Sequence, residues 1–291
     1  MATAQERNLK KASLLINLNF NLDIIVKYFN ATSFILSLFL SAVFTATAHA
    51  KENQLPVEKN WELVISGLLI WTPEFTGSDE YEIIGGPSIE SYFNLTEQST
   101  LFANNSGIGL DYQLSDNLNT GILGKVRADQ DRSKIKNLDG LLNIDEAFEV
   151  GSYLSYQLTK QWEINISGLF DVSDTHEGWI ANLSVSHEYM IPNTPITMTT
   201  LAGVDYADKN YNNTYFGVKP STNGIPDQSS FILGSGFNSA TFGTTFSYAS
   251  SENTTLIGLI SATQIIGDAK NSPIIKEDTL ITVGLGAAYT F

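Results

Sequence analysis

The residues of this chain with the most obvious chemical potential are two histidines that lie beyond residue 50. His176 falls in a polar segment with Ser173, Asp174 and Glu177 close by in sequence, which is the composition of a serine hydrolase site. His187 falls on the apolar side of a predicted strand, where it would be a poor general base. Polar loops acquire such compositions by chance, and we predict no enzymatic activity and no catalytic residue.

A metal centre has no better support in the sequence. The chain has 0 cysteines and 3 histidines. It has neither the H-E-x-x-H pattern nor the cysteine pairs that zinc sites use. We therefore predict no metal site and no cofactor.

Charged residues recur on the polar side of the predicted strands, where alternation would turn them into an enclosed interior. They are Glu62, Lys125, Arg127, Glu149, Glu163, Asp171, Glu188 and Asp205. Lumen charges of this kind can tune a cation-preferring pore. They can also pair and fill a closed interior, because only wider barrels must leave a channel. We favour the filled interior and keep the pore as the alternative.

The elements that position these residues are strands, and the last strand gives the clearest pattern. From Ile281 to Phe291, alternate positions are apolar or aromatic, and most of the intervening ones are small or carry a hydroxyl. A period of two indicates a β-strand, and lipid on one face with a polar lumen on the other produces this pattern. A half-buried strand of a soluble sandwich would alternate in the same way. The final aromatic pair, Tyr289 and Phe291, is expected to be the assembly signal that the barrel assembly machinery reads.

The first predicted strand favours the membrane interpretation. Trp61 and Trp71 lie on the same face near the two ends of the strand, as in the two aromatic girdles of a membrane barrel. Alternation along the rest of the chain predicts twelve antiparallel strands. Ten strands would be the next even solution if 99–114 were one irregular strand. Short turns then lie at one end of the barrel, and most of the longer loops lie at the other.

Two segments near the middle of the chain carry more specific predictions. The segment 207–228 is predicted to be a long outer loop. The tenth strand is predicted to run from about Ser229 to Ala249 and to bend or bulge near Gly234 and Gly236.

The N-terminal residues indicate export. Residues 27–50 combine a lysine, an apolar run and the sequence Ala48-His49-Ala50, as a secretory signal peptide does. We predict cleavage after Ala50, which leaves 51–291 as a single barrel domain. An uncleaved anchor is the alternative. Residues 1–26 form an extension that a normal signal peptide lacks, which suggests an over-long gene start.

The net charge and the hydropathy of the chain restrict its possible partners and its cellular location. The net charge of −15 argues against binding nucleic acid through phosphate contacts. After residue 50, no apolar run approaches the roughly twenty residues that a membrane helix needs. An exported chain of this kind is either soluble or an outer-membrane barrel. We predict an outer-membrane barrel in contact with outer-membrane lipid.

Three loop segments and the C-terminus carry a more specific signal. The first segment contains Pro73, Gly77, Ser78 and Asp79, the second contains Tyr215, Phe216 and Gly217, and the third contains Gly267, Asp268, Ser272 and Pro273. Together with the Tyr-Thr-Phe ending, these segments resemble the MipA/OmpV family (MltA-interacting protein) over most of 60–291. By residue type, the glycines and short polar side chains suit loop closing, which we favour over ligand contact.

The resemblance implies an outer-membrane β-barrel and supplies no catalytic residue. Some members are described as scaffolds that link a lytic murein transglycosylase to a murein synthase, and others are linked to osmotic response or adhesion. The leading hypothesis is therefore a non-enzymatic scaffold for murein-remodelling enzymes. The alternative is a small-solute or cation-preferring channel.

Overall fold

The chain folds into a closed antiparallel β-barrel. The computed structural model describes residues 60–132, 141–218 and 230–291. The strands are β1 (Trp61–Pro73), β2 (Tyr81–Asn94), β3 (Ser99–Asn104), β4 (Gly107–Ser115), β5 (Leu118–Arg127), β6 (Ala147–Gln157), β7 (Trp162–Asp171), β8 (Trp179–Met190), β9 (Ile196–Ala207), β10 (Gly236–Ala249), β11 (Thr254–Ile265) and β12 (Thr279–Thr290).

Strands that follow one another in sequence are also neighbours in the barrel, and β1 pairs with β12 to close it. The prediction of twelve strands is confirmed. The ten-strand alternative is wrong, because 99–114 forms the two strands β3 and β4, joined by a tight turn.

Several sequence predictions fall outside the described residues. They concern the extension 1–26, the signal peptide with cleavage after Ala50, and the remainder of the outer loops at 133–140 and 219–229. Within the ranges that the structure describes, no helix has the length and apolar character that a bilayer crossing requires.

The alternation of side chains decides which face of the sheet meets lipid. On β12, Leu285 is 68% exposed, whereas Leu280 and Thr282 on the opposite face are nearly fully buried. The same pattern on the other strands surrounds the barrel with exposed isoleucine, leucine, valine and phenylalanine side chains. An apolar belt of this extent would be costly in water and is what a membrane barrel presents to lipid.

Aromatic residues mark both edges of this belt. At the outer end, the rings of Trp71 and Tyr81 stack with their centroids 4.2 Å apart. At the other end, Tyr289 and Phe291 pack with centroids 4.7 Å apart, and Trp61 is exposed at the start of β1. The start of β1, the C-terminal Phe291 and the short turns lie at this second end, which is the periplasmic end of a bacterial barrel.

Two predictions between β9 and β10 are wrong. The segment 207–228 contains a helix, α1 (Lys209–Phe216), and β10 begins at Gly236 instead of about Ser229. The physical reason is that 230–235 packs against α1 and does not extend the wall. The bulge expected near Gly234 and Gly236 is confirmed, because the register shift falls between Phe237 and Ser239.

The lipid-facing assignment predicts a large, face-specific effect of charge. Leu285→Arg places a guanidinium near the middle of the apolar belt, which should lower the free energy of unfolding by about 2–4 kcal/mol. Unfolding by urea in phospholipid vesicles measures this. The control is Leu142→Arg, at a loop side chain that is 85% exposed, where a change within about 0.5 kcal/mol is expected. Equal effects at the two positions would contradict the membrane assignment.

Candidate functional site: the closed outer mouth

Helix α1 begins at a capping aspartate that also ties it to the barrel wall. The Asp208 Oδ1 atom accepts hydrogen bonds from the main-chain N–H of Tyr211 at 2.9 Å and of Trp179 at 3.2 Å. Aspartate at the N-cap satisfies a helix N–H that has no partner within the helix. Because Trp179 is the first residue of β8, the cap fixes the start of α1 at the outer rim.

The apolar face of α1 packs inside the mouth of the barrel. Tyr211 and Phe216 are almost completely buried and contact Ile180, Ile265 and Leu280. These three strand residues occupy inward-facing positions at the outer ends of β8, β11 and β12. The helix therefore lies within the ring of strands. We call α1 together with 230–235 the plug.

Two asparagines bind the halves of the plug together. The Asn213 side chain donates to the Leu233 carbonyl at 2.7 Å and accepts from the Leu233 N–H at 2.9 Å. The Asn212 side chain donates to the Gly234 carbonyl at 3.0 Å, and its Oδ1 atom accepts from the side chain of Asn238 at 3.1 Å. Asn238 is the extra residue of the β10 bulge. A bulge redirects a side chain, and here it brings a wall residue to the plug.

A buried charged network on β5 and β6 lies beside the plug. Arg127 binds both oxygens of Glu149, at 2.8 and 3.0 Å. The His176 Nε2 atom lies 3.1 Å from Glu149 Oε1, and the main-chain N–H of Gly178 donates to His176 Nδ1 at 3.2 Å. Since Nδ1 accepts, Nε2 carries the hydrogen and donates to the carboxylate.

This arrangement explains the hydrolase-like composition of 173–177. Both ring nitrogens of His176 have partners, and neither partner is a hydroxyl. Ser173 instead donates to Asp171 at 2.7 Å and accepts from the Phe148 N–H at 2.9 Å. The two residues hold the loop in place and do not form a nucleophile–base pair.

The network reaches α1 through aromatic rings. The Arg127 guanidinium carbon lies 5.2 Å from the ring centroid of Tyr211 and 5.6 Å from that of Tyr215. Burial raises the pKa of Tyr211 well above its usual range, so the phenol is neutral at any physiological pH. A buried cation against a neutral ring is worth about 0.5–2 kcal/mol. One arginine thus connects the wall carboxylate to the plug.

The predicted lumen charges separate into two groups. Lys125 lies opposite Glu149 in the strand register, and Glu149 lies opposite Asp171, so these residues share the outer end with Arg127. Asp171 accepts N–H groups of Ser173, His176 and Glu177 at 2.8, 2.6 and 2.9 Å. It therefore positions the loop that carries His176.

Two of the remaining predicted charges lie at the opposite end of the barrel, whereas Asp205 lies near the outer end of β9, close to Lys125 and Arg127. Glu163 and Glu188 lie near the periplasmic ends of β7 and β8, where they are half-buried. Asp205 accepts from Ser239 at 2.6 Å and from Asn182 at 2.8 Å. The set does not converge on one site.

The three loop segments that resembled the family meet above the plug. The Ser272 hydroxyl donates to the Phe216 carbonyl at 2.5 Å, and the Gly77 carbonyl accepts from the N–H of Lys276 at 2.7 Å. Ile274 forms a second apolar cluster with Val218 and the loop residue Phe75. Residues distant in sequence thus come together at the outer end and contact the plug.

The individual motif residues have local roles in that closure. Pro73 ends β1, and Gly77 has φ +101° with no room for a side chain against Ile275. Ser78 is buried, and its hydroxyl donates to the Glu80 carbonyl and accepts from the Glu80 N–H.

The remaining motif residues lie next to the plug or beyond β11. Gly217 follows α1 and donates to the Asn213 carbonyl at 3.0 Å. Gly267 has φ +59°. Asp79, Asp268 and Pro273 are exposed.

The part of the chain that the structure describes contains no group of three or more histidine, aspartate or glutamate side chains close enough to hold a metal.

Comparison with known proteins identifies the family. The family described as MltA-interacting protein MipA matches residues 65–291. The chain belongs to the MipA family. The match includes all three loop segments and confirms the resemblance seen in the sequence. A closed twelve-strand barrel of this family is an outer-membrane protein.

Solved structures show similar folds at low sequence identity. An outer-membrane channel from Pseudomonas putida F1 is 13% identical with a TM-score of 0.43, covering 83% of this chain and 98% of that one. The translocator domain of autotransporter NalP from Neisseria meningitidis is 8% identical with a TM-score of 0.42, covering 87% and 95%. No curated protein matches the sequence.

Sequence reasoning found the charged residues of this MipA-family barrel but missed how they connect. Nothing in the linear pattern shows that His176 contacts Glu149, because the contact crosses from an outer loop to the neighbouring strand. The signals for α1 were Asp208 before it and Gly217 after it. They were not decisive in a segment where asparagine and tyrosine have low intrinsic helix propensity.

The buried network predicts a strong effect from an almost isosteric change. Glu149→Gln removes the negative charge to which both Arg127 and His176 are bound. We expect the free energy of unfolding to fall by about 3–5 kcal/mol, with faster proteolysis within α1. The control is Glu97→Gln in an exposed periplasmic turn, where the change should stay within about 0.5 kcal/mol. Indistinguishable variants would show that the network does not hold the plug.

Proposed function

We propose that this outer-membrane barrel is a non-enzymatic scaffold whose periplasmic end recruits murein-remodelling enzymes. The partner classes are a lytic transglycosylase and a murein synthase. The family description supports the first of these, since it names an interaction with MltA.

The observation that carries the proposal is the closed outer mouth. The plug, the Arg127–Glu149–His176 network and the overlying loops occupy the space through which a solute would pass along the barrel axis. In the part of the chain that the structure describes, the plug and the network fill the outer mouth, and the short turns at the other end are exposed. Such properties suit a membrane-anchored binding platform better than a channel.

The inward-facing residues of the wall also favour a binding platform over a channel. Inward positions carry small hydroxyl residues that bond one another, such as Thr241 with Thr263 at 2.9 Å and Thr72 with Thr282 at 3.2 Å. All four are buried. These side chains satisfy each other's hydrogen-bonding groups.

The periplasmic turns are the surface available to an enzyme anchored near the murein layer. Glu97, Asp116 and Glu252 are exposed there, which gives this end an acidic rim. Acidic rims select basic partners and speed their association. We therefore assign recognition to these turns and expect the partner to present a basic surface.

The test reverses charge at one end of the barrel at a time. In a pull-down from detergent with a purified membrane-bound lytic transglycosylase, Glu97→Lys, Asp116→Lys and Glu252→Lys together should abolish most of the capture. The matched control is Asp129→Lys, Asp268→Lys and Asp278→Lys, which changes three exposed residues at the outer end by the same charge. This control should bind as the wild type does.

Two outcomes would contradict the scaffold proposal. Capture that is absent from the wild type, or that is lost only in the outer-end variant, would remove the periplasmic turns from recognition. Steady single-channel steps from the wild type in planar bilayers would instead favour the small-solute or cation-preferring channel.

Assembly of the barrel is a separate expectation. Tyr289 and Phe291 are exposed side by side at the end of the chain. We propose that this aromatic pair is what the barrel assembly machinery recognises.

A further inference from the structure

The barrel wall is incomplete in one sector. Strands β3 and β4 have only 6 and 9 residues, whereas β2 has 14. Pairing between β2 and β3 starts at Ser91 and continues only to Asn94. Among the described residues, the stretch of β2 from Glu82 to Ile89 therefore pairs with β1 alone.

A gap in the wall follows from this difference in length. The β3–β4 hairpin ends at Asn104–Gly107, and β5 continues past the last pair with β4, Ile108 with Gly124. Three strand spacings of about 4.8 Å separate β2 from β5 where the hairpin ends, or roughly 14 Å. We call the space above the hairpin tip, between Glu82–Ile89 of β2 and the outer end of β5, the lateral notch.

The lateral notch lies at the depth of the hydrocarbon. Tyr81, the first residue of β2, belongs to the outer aromatic girdle through its stacking with Trp71. Ile83 and Ile89 come next on the lipid-facing side and are 74% and 57% exposed. Main-chain polar groups at a strand edge cannot be left unsatisfied in lipid. Something that offers hydrogen bonds must therefore meet this edge.

The base of the lateral notch is polar on the inner side. The Asn105 side chain, at the hairpin tip, donates to Glu90 at 2.5 Å and accepts from Ser88 at 2.8 Å. The Tyr92 hydroxyl also donates to Glu90, at 3.1 Å. Glu90 is 1% exposed. A hydrogen-bonding cluster thus borders an opening whose outer side is hydrocarbon.

Pro87 lies in the part of β2 that pairs with β1 alone, and a proline there indicates that no further strand pairs with this edge. Proline has no N–H to donate, so it reduces the number of groups that need a partner, and it blocks ladder formation. The glycine at the hairpin tip, Gly107, has φ +137° and would meet the Gly124 carbonyl if it carried a side chain. The tip of the β3–β4 hairpin therefore packs closely against β5, and the hairpin ends at this point.

We propose that the lateral notch is a portal between the outer leaflet and the lumen that binds a single-chain amphiphile. Its alkyl chain lies among the lipid-facing side chains of β2, and its head group meets the half-buried side chains of Ser88 and Asn105 and the main-chain edge of Glu82–Ile89. Within the described residues, the plug lies at the outer mouth above this point, and the lateral notch would connect the lumen to the outer leaflet. The proposal concerns the wall and does not depend on the scaffold role.

The test uses the full mature chain in phosphatidylcholine vesicles. The probe is a lysophosphatidylcholine analogue with a photoreactive diazirine on its head group, and the crosslinked residues are mapped by mass spectrometry. We expect adducts at inward-facing Ser88 or Asn105 in addition to lipid-facing residues. The inward-facing Ser167 lies in a complete part of the wall and should carry none.

A paired variant tests the position of the site. Ser88→Trp fills the lateral notch and should reduce labelling of Asn105 to the level seen at Ser167. Ser167→Trp should leave it unchanged. Heat-modifiable migration on a denaturing gel establishes that each variant is folded.

Three results would overturn the proposal. The first is labelling confined to lipid-facing residues in the wild type. The second is labelling of Ser88 and Asn105 by a water-soluble diazirine alcohol but not by the lysolipid, which would make the lateral notch an aqueous opening. The third is crosslinking of β2 to a second copy of the chain.

Discussion

The structure depends on the requirement that every main-chain N–H and C=O group within hydrocarbon has a hydrogen-bond partner. A sheet meets this requirement only by closing on itself, and here β1 pairs with β12 from Val64–Thr290 to Trp71–Val283. Closure then fixes the two faces of every strand, because successive side chains alternate between lipid and lumen. The apolar belt and the polar interior are consequences of this one constraint.

The interior is subject to a second requirement, because charged groups that bulk water cannot reach need partners within the protein. At the outer end, this requirement is met by Arg127, Glu149 and His176, each of which bonds another member of the network. Breaking such a network is costly because it leaves a buried charge without its partner. The network therefore fixes the position of α1 in the outer mouth of the barrel. The loops that carry the family resemblance lie over the same plug, which gives them a structural reason to keep their glycines and short polar side chains.

The fold was predictable from the sequence to the extent that strong alternation determines it. Residues such as Leu285 and Thr282 show their faces directly, and Trp61 and Trp71 set the length of the first strand. The start of β10 was not predictable, because 230–235 owes its conformation to Asn213 and Leu233, which pair only in three dimensions. The candidate site was predictable as a set of charges but not as a network. The contact between Glu149 and His176 depends on how an outer loop folds back over the wall, and no periodicity encodes that.

The central claim is that the wall network and the apolar cluster hold α1 as a permanent plug. Amide hydrogen exchange of 209–216 in proteoliposomes tests it most directly, since exchange reports the free energy of local opening. If the claim is correct, the hydrogen-bonded amides of α1 exchange as slowly as those of the adjoining strand β9. Exchange as fast as in the exposed turn 250–253 would contradict it.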